Sequence, residues 1–301
     1  MSKAGNLSSG DMIVDRRFEY ARALFEDGDF VASADLTQQI TEIAPLWPVG
    51  WNMLGDCFAK LGQMEDAAAA WSHCVTLAPG DALGAGLKRA ALSLELRPDH
   101  PPEAYVRELF DEYATRFETE LTQKLHYNTP KHLADLLAPL AQHHHRVLDL
   151  GCGTGLMGVE LQGRFDELYG VDLSRNMVQQ ARSKNLYTRL TVGDVTAFLT
   201  SQDQPYDLII AADVFVYVGA LDEVFAQAAR LLSPQGLFVA SVEKAEEGFC
   251  LQPSLRYAHS LSYLDSLATR HGLVRIAHQE RPLRMDRGVP IIGHLTAYRS
   301  I

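Results

Sequence analysis

Three carboxylates and a run of glycines carry the chemistry of this 301-residue chain. Residues 145–158 read HRVLDLGCGTGLMG, with Asp149 inside an apolar run and Gly151, Gly153 and Gly155 directly after it. Taken from Gly153, the residues spell G-T-G-L-M-G, the pattern of a turn that holds a dinucleotide pyrophosphate at a helix N-terminus. Taken from Val147, they spell V-L-D-L-G-C-G-T-G, an acid-bearing strand running into a glycine turn. The two readings place opposite demands on charge. A carboxylate so close to a pyrophosphate repels it, whereas a ligand with an ammonium and a sulfonium gains from it. Asp172 closes the next apolar run, 19 residues after Gly153. A carboxylate there can accept hydrogen bonds from both hydroxyls of a ribose, which suits either ligand. Asp194, in TVGDV, ends a third run, and with the backbone of Val195 it offers an acceptor to an adenine amine. Most dinucleotide folds give that position no such duty. Together the first and third acids favour S-adenosyl-L-methionine over an NAD(P)-dependent oxidoreductase.

These residues need a scaffold that brings strand ends together. From residue 103 onward helical and strand patterns alternate. AYVRELFDEYATRFETEL sets Val106, Leu109, Phe110, Tyr113 and Phe117 on one helical face, and TPKHLADLLAPLAQ starts a second helix with Thr129 as cap and Pro130 in its first turn. The apolar runs RVLDL, ELYGVD, RLTVGD, YDLIIAAD and GLFVASVE follow, with helices between them. Such alternation predicts an α/β fold, a doubly wound parallel sheet whose ligands sit at the carboxyl ends of the strands. LVRIAHQE and HLTAYRS close a seven-stranded sheet. The short return RPLRMDRGVPIIG between them makes the last strand antiparallel.

The ordered motifs VLDLGCGTG, GVDLS, GDV and YDLIIAADV resemble those of class I S-adenosylmethionine-dependent methyltransferases, over roughly residues 105–301. The resemblance implies that Asp149 and the backbone of Gly151 and Gly153 hold the amino-acid end of the cofactor. It implies too that Asp172 takes the ribose, Leu173 and Met177 flank the adenine, Asp194 and Val195 read its amine, and Tyr113 sits on a lid helix. Core packing remains the alternative for Met177 and Tyr113, and helix capping for Asp194. Methyl transfer is an in-line displacement, so placement supplies much of the rate, and a base is needed only where the acceptor must lose a proton. Asp213 and Tyr217 follow the fourth strand, and Tyr257 and His259 precede a late helix. His259 is the candidate base, its imidazole titrating near neutrality. Arg256 could pair with an acidic acceptor.

The first hundred residues repeat at a spacing of 34: Gly28 and Gly62, Ala44 and Ala78, Pro45 and Pro79. In WNMLGDCFAKLGQMEDAAAAWSHCVTLAPGD, small residues at Gly55 and Ala67 let two antiparallel helices approach, and Phe58 and Trp71 fill the seam. This resembles a tetratricopeptide (TPR) repeat. The expected organisation is a disordered segment over 1–10, an all-α TPR module over 11–98, lid or linker helices over 103–134, and the methyltransferase domain over 135–301. The prolines of RPDHPPEAYV mark the break.

Composition narrows the partners. The formal net charge is −11, which disfavours a phosphate backbone. Asn-Pro-Pro-aromatic and Pro-Cys signatures of base methylation are missing, and Cys152 in the glycine turn is no nucleophile. No apolar run is long enough for a membrane span, the N-terminus lacks a signal peptide, and four scattered cysteines suit a cytoplasmic protein. His143-His144-His145 reads as a solvated turn, and no metal-ligand set stands out. The leading function is methyl transfer to oxygen of a small-molecule acceptor, with the repeats as scaffold or self-association surface. A protein methyltransferase recruiting its substrate through the repeats, and a non-catalytic cofactor-binding adaptor, are the alternatives.

Overall fold

A computed structural model describes residues 8–92, 98–113, 127–286 and 288–301. The segment expected to be disordered, 1–10, lies outside them up to residue 7. The chain divides into two compact units, Met1–Tyr105 and Val106–Ile301.

The first unit is helical: α1 (Met12–Glu26), α2 (Phe30–Ile43), α3 (Pro48–Lys60), α4 (Met64–Leu77) and α5 (Ala85–Leu92), each packed on the next. Its boundaries repeat with the sequence. The ends of α1 and α3, the starts of α2 and α4, and the ends of α2 and α4 are all 34 residues apart. Gly28 and Gly62 take matching left-handed conformations, φ 86° and 78°, in the turns between paired helices. Gly55 explains the close approach of α3 and α4. A Cβ on it would stand 2.4 Å from the Trp71 ring, whose indole N–H donates to Asp56 at 3.1 Å. Lys88 of α5 closes on the same carboxylate at 2.7 Å.

Among the described residues the second unit holds nine strands. The central order is β3 (Arg189–Val192), β2 (Phe165–Asp172), β1 (His144–Leu150), β4 (Tyr206–Ala211), β5 (Leu232–Lys244), all parallel. β9 (Val289–Ser300) pairs antiparallel with β5 and with β8 (Leu273–Asp286). The order β3-β2-β1-β4-β5-β9-β8 is the seven-stranded sheet with an antiparallel end that the sequence predicts. Two short strands, β6 (Phe249–Leu251) and β7 (Tyr257–His259), add to the tip of β5. The supposed return RPLRMDRGVPIIG is itself mostly strand, extending β8 and β9 into a long hairpin. Pro282 is tolerated because β8 is an edge strand with a register shift between Pro282 and Arg284.

Alternation along β1 builds two cores. Leu148 and Leu150 face α10 (Val195–Ser201), α11 (Asp222–Leu231) and α12 (Leu261–Arg270). Val147 faces α7 (Thr129–Leu137) and α8 (Leu156–Glu160). Thr129 does not cap α7. Asn128 occupies the cap position, and the Thr129 hydroxyl donates to the Leu283 carbonyl at 3.3 Å. The histidine run is partly structured: His144 opens β1 and is buried, while His143 and His145 clasp Asp166 of β2 at 2.9 and 2.8 Å.

Candidate active site

β1 lies between β2 and β4, so connections leave it in opposite directions and open a crevice at its carboxyl end. Asp149 stands there fully inside the protein, opposite Gly170 and Ile210. Its only side-chain partner among the described residues is the Tyr187 hydroxyl, which donates to it at 2.7 Å. Tyr187 escaped the sequence reading, yet glycines make room for it. A Cβ on Gly158 or Gly170 would press on its ring or hydroxyl at 2.8–2.9 Å. Burial, only partly countered by this hydrogen bond, pushes the Asp149 carboxyl up to about 7.

The turn after β1 places Gly151 at φ 61°, and a Cβ there would meet Val214 at 2.5 Å, so glycine is required on both counts. Asp172 ends β2 and spans the turn: Gly153 N–H donates to one oxygen at 2.9 Å and Ser174 N–H to the other at 2.8 Å. Burial raises its pKa to about 6 against those two bonds. The Gly153 N–H is thus engaged by Asp172. Ser174 caps α9 (Arg175–Ser183) through Met177 N–H, and its hydroxyl donates to Asp111 on α6 (Glu103–Tyr113) at 2.7 Å. That helix also sets Phe110 edge-on to Tyr217, ring centroids 5.0 Å apart. Tyr113 is its last residue, and residues 114–126, where the sequence leads one to expect the rest of a lid, lie outside the described residues.

Next along the sheet edge, Met177 is buried, Leu173 half-buried, and Val195 buried at the start of α10. Asp194 is the exposed cap of α10, accepting from Ala197 N–H at 2.9 Å. Its helix-capping role is visible, and one carboxylate oxygen is committed to it. Cys152 is buried, which raises its thiol pKa far above the usual range and removes it as a nucleophile.

The opposite side of the crevice holds a charged cluster that the sequence reveals only in part. Asp213, after β4, adopts a left-handed backbone, φ 60°, secured by its N–H donating to Ser241 at 2.8 Å. Glu243 of β5 is buried and pairs with Arg284 of β8, which also stands 3.5 Å from both Asp213 oxygens. Arg256 lies 3.9 Å from Asp213 and 3.8 Å from Glu243, with its guanidinium 5.5 Å from the Tyr217 ring centroid. Both carboxylate distances are to its Nη1, which is buried and makes no hydrogen bond among the described residues. Tyr127 borders both groups: burial, then Asp213, lifts its hydroxyl pKa, with Arg284 and Asp149 also felt.

His259 and Tyr257 are not on a loop facing this crevice. Both lie in β7 and are wholly buried. The His259 Nε2–H donates to the Gly219 carbonyl at 2.9 Å, and the ring stacks between Phe249 and Tyr263. Desolvation drives its pKa down to about 4. The premise for a base titrating near neutrality is therefore corrected: β7 zips onto the β5 tip and takes the ring out of water. Tyr217 is half-buried with its pKa raised, first by desolvation.

The architecture is an open α/β sheet of the kind that binds a nucleoside at its switch point. Residues 147–236 match the family described as Methyltransferase domain. Malonyl-[acyl-carrier protein] O-methyltransferase of Geobacter sulfurreducens is 34% identical over 97 residues, 31% of this chain and 36% of that one. Ubiquinone biosynthesis O-methyltransferase of Chelativorans is 28% identical over 163 residues, 52% of this chain and 60% of that one. The chain thus spans less than two thirds of these curated relatives. Magnesium protoporphyrin IX methyltransferase of Synechocystis, solved with bound SAH, shares the fold. Its TM-score is 0.53 at 16% identity, covering 66% of this chain and all of that one (100%). Residues 147–236 thus match a methyltransferase-domain family within an open α/β sheet whose fold is shared by a structure holding SAH, and an all-helical region comes before it in the chain.

Proposed function

We propose that this protein transfers a methyl group from S-adenosyl-L-methionine to an oxygen of a small acidic acceptor. The observation that carries the reading is the pair Asp149 and Asp172, buried at the switch point and met by neutral donors alone among their side-chain and backbone hydrogen bonds. Two such carboxyls favour a ligand that brings positive charge and hydroxyl donors. Asp149 and the Gly151 turn would hold the amino-acid end, Asp172 the ribose, Leu173 and Met177 the adenine faces, and Asp194 with Val195 its amine. The bound cofactor supplies a methyl group already activated by its sulfonium.

The acceptor side supports the choice of oxygen. His259 is neutral and enclosed, and the Tyr217 hydroxyl is held protonated by burial. Asp213 faces two guanidinium groups. None of these groups is poised to remove a proton, so an acceptor that is already anionic, a carboxylate, fits best. Arg256 has a donor to spare for it at Nη1, and Tyr217 flanks the same guanidinium. Arg284, anchored by Glu243, holds Asp213 in place.

The test is methyl-labelled cofactor incubated with the full chain and a small-molecule extract, followed by mild alkali. Label recovered as volatile methanol supports carboxyl methylation. Alkali-stable label in small molecules contradicts the acidic acceptor, label in the protein fraction contradicts the small one, and no transfer contradicts the activity itself.

A further inference from the structure

We propose that His278, Glu280 and His294 form a binding site for a transition-metal dication of the zinc class. The hairpin of β8 and β9 builds it. Glu280 lies directly across from His294 in the antiparallel register, and His278, two residues before Glu280, shares the same face. His-x-Glu on one strand and His on its neighbour thus point three ligands to one spot, although 14 residues separate Glu280 from His294 in sequence.

The spacing suits coordination. His278 Nε2 is 3.1 Å from His294 Nδ1, and His294 Nδ1 is 3.9 Å from Glu280 Oε1. All three ligand atoms lie within 4.8 Å of one another. Zinc bonds of about 2.0–2.1 Å in a tetrahedron put adjacent ligand atoms roughly 3.3 Å apart, so small side-chain rotations suffice. Two imidazoles and one carboxylate form a borderline donor set that favours zinc, and three protein ligands leave a fourth position for water. Burial lowers the pKa of both imidazoles, which keeps them in the metal-binding form.

One group opposes the ion. The Lys244 ammonium of β5 sits 3.1 Å from both Glu280 oxygens. It is partly exposed on a flexible stem, so a dication drawing on two further nitrogens can displace it. Arg275 and Asp265 also act on His278, with opposite signs. Occupancy would cross-link the two strands of the hairpin four residues short of Arg284, steadying the strand that carries this guanidinium into the crevice.

The experiment uses the full chain freed of metal by a chelator, titrated first with Co2+ and then with Zn2+. One equivalent of Co2+ should give the visible absorption of a tetrahedral nitrogen–oxygen site, bleached by one equivalent of Zn2+. Zn2+ should also raise the melting temperature. His278→Asn or Glu280→Gln should weaken uptake by about tenfold or more, and Lys244→Gln should strengthen it several-fold. A His143→Asn, His145→Asn double variant should behave as wild type. No saturable uptake would overturn the proposal, as would uptake that survives His278→Asn but is lost in the double variant.

Discussion

The two sides of the crevice treat their acids in opposite ways. Asp149 and Asp172 are buried with neutral donors: a tyrosine hydroxyl for the first and two backbone N–H groups for the second. Their carboxyls titrate at about 7 and about 6. Asp213 and Glu243, one and two strands along from Asp149, share Arg284 and Arg256. Buried charge is costly until it is paired. The first side leaves that pairing to a ligand, and the second completes most of it within the chain. On the proposed function, one sheet edge would thereby separate two tasks: a side short of cations would draw a cationic nucleoside, and a neutralised side would orient an acceptor without competing for it.

The largest expected break comes on the paired side. Arg284→Ala leaves the buried Glu243 with Arg256 alone, 3.8 Å away, and the loss should be about 3 kcal/mol in urea unfolding. A loss within the scatter of wild type would mean the pair is not needed there. On the cofactor side, Asp172→Ala should cost cofactor affinity roughly 100-fold by calorimetry, the equivalent of losing one or two charge-assisted hydrogen bonds. Unchanged affinity would remove Asp172 from the ribose.

Asp149→Asn sharpens the contrast, because function and stability should move apart. The folded Asp149 carboxyl holds its proton up to about pH 7, whereas the unfolded one releases it near the ordinary value. Its contribution therefore favours folding at low pH and is lost as pH rises through about 7. Asparagine still accepts from Tyr187 but carries no charge. The variant should melt higher than the cofactor-free wild type at pH 8 and bind cofactor about tenfold more weakly. The smallest effect belongs to Asp194→Ala, about 1 kcal/mol from the α10 cap in a thermal melt. A separate loss of cofactor affinity would show that its second oxygen also works.

What the sequence discloses and what it hides follow from distance along the chain. Asp149, the glycine turn and Asp172 are legible because one strand, one turn and the next strand set them locally. The repeat is legible because the turn glycines Gly28 and Gly62 and the Ala-Pro pairs at 44–45 and 78–79 recur at a fixed period. The charged cluster is not, since Asp213, Glu243, Arg256 and Arg284 come from four separate segments. Arg284 was further masked by prolines at 282 and 290, which read as loop yet sit on an edge strand and at a strand start. Likewise β7 spans three residues, too short to show a period, and its place between β5 and β6, with Phe249 and Tyr263 on the ring, decides that His259 is buried.

Proton release on cofactor binding reports whether Asp149 ionises as the ligand arrives. Calorimetry of the wild-type chain with S-adenosyl-L-methionine near pH 6.5, in buffers of different ionisation enthalpy, counts the protons set free. Ionisation of a carboxyl beside an incoming cation should release part of a proton there, release should vanish above pH 8, and Asp149→Asn should cut it to the smaller share that Asp172 supplies. Binding that exchanges no protons at either pH would contradict the account.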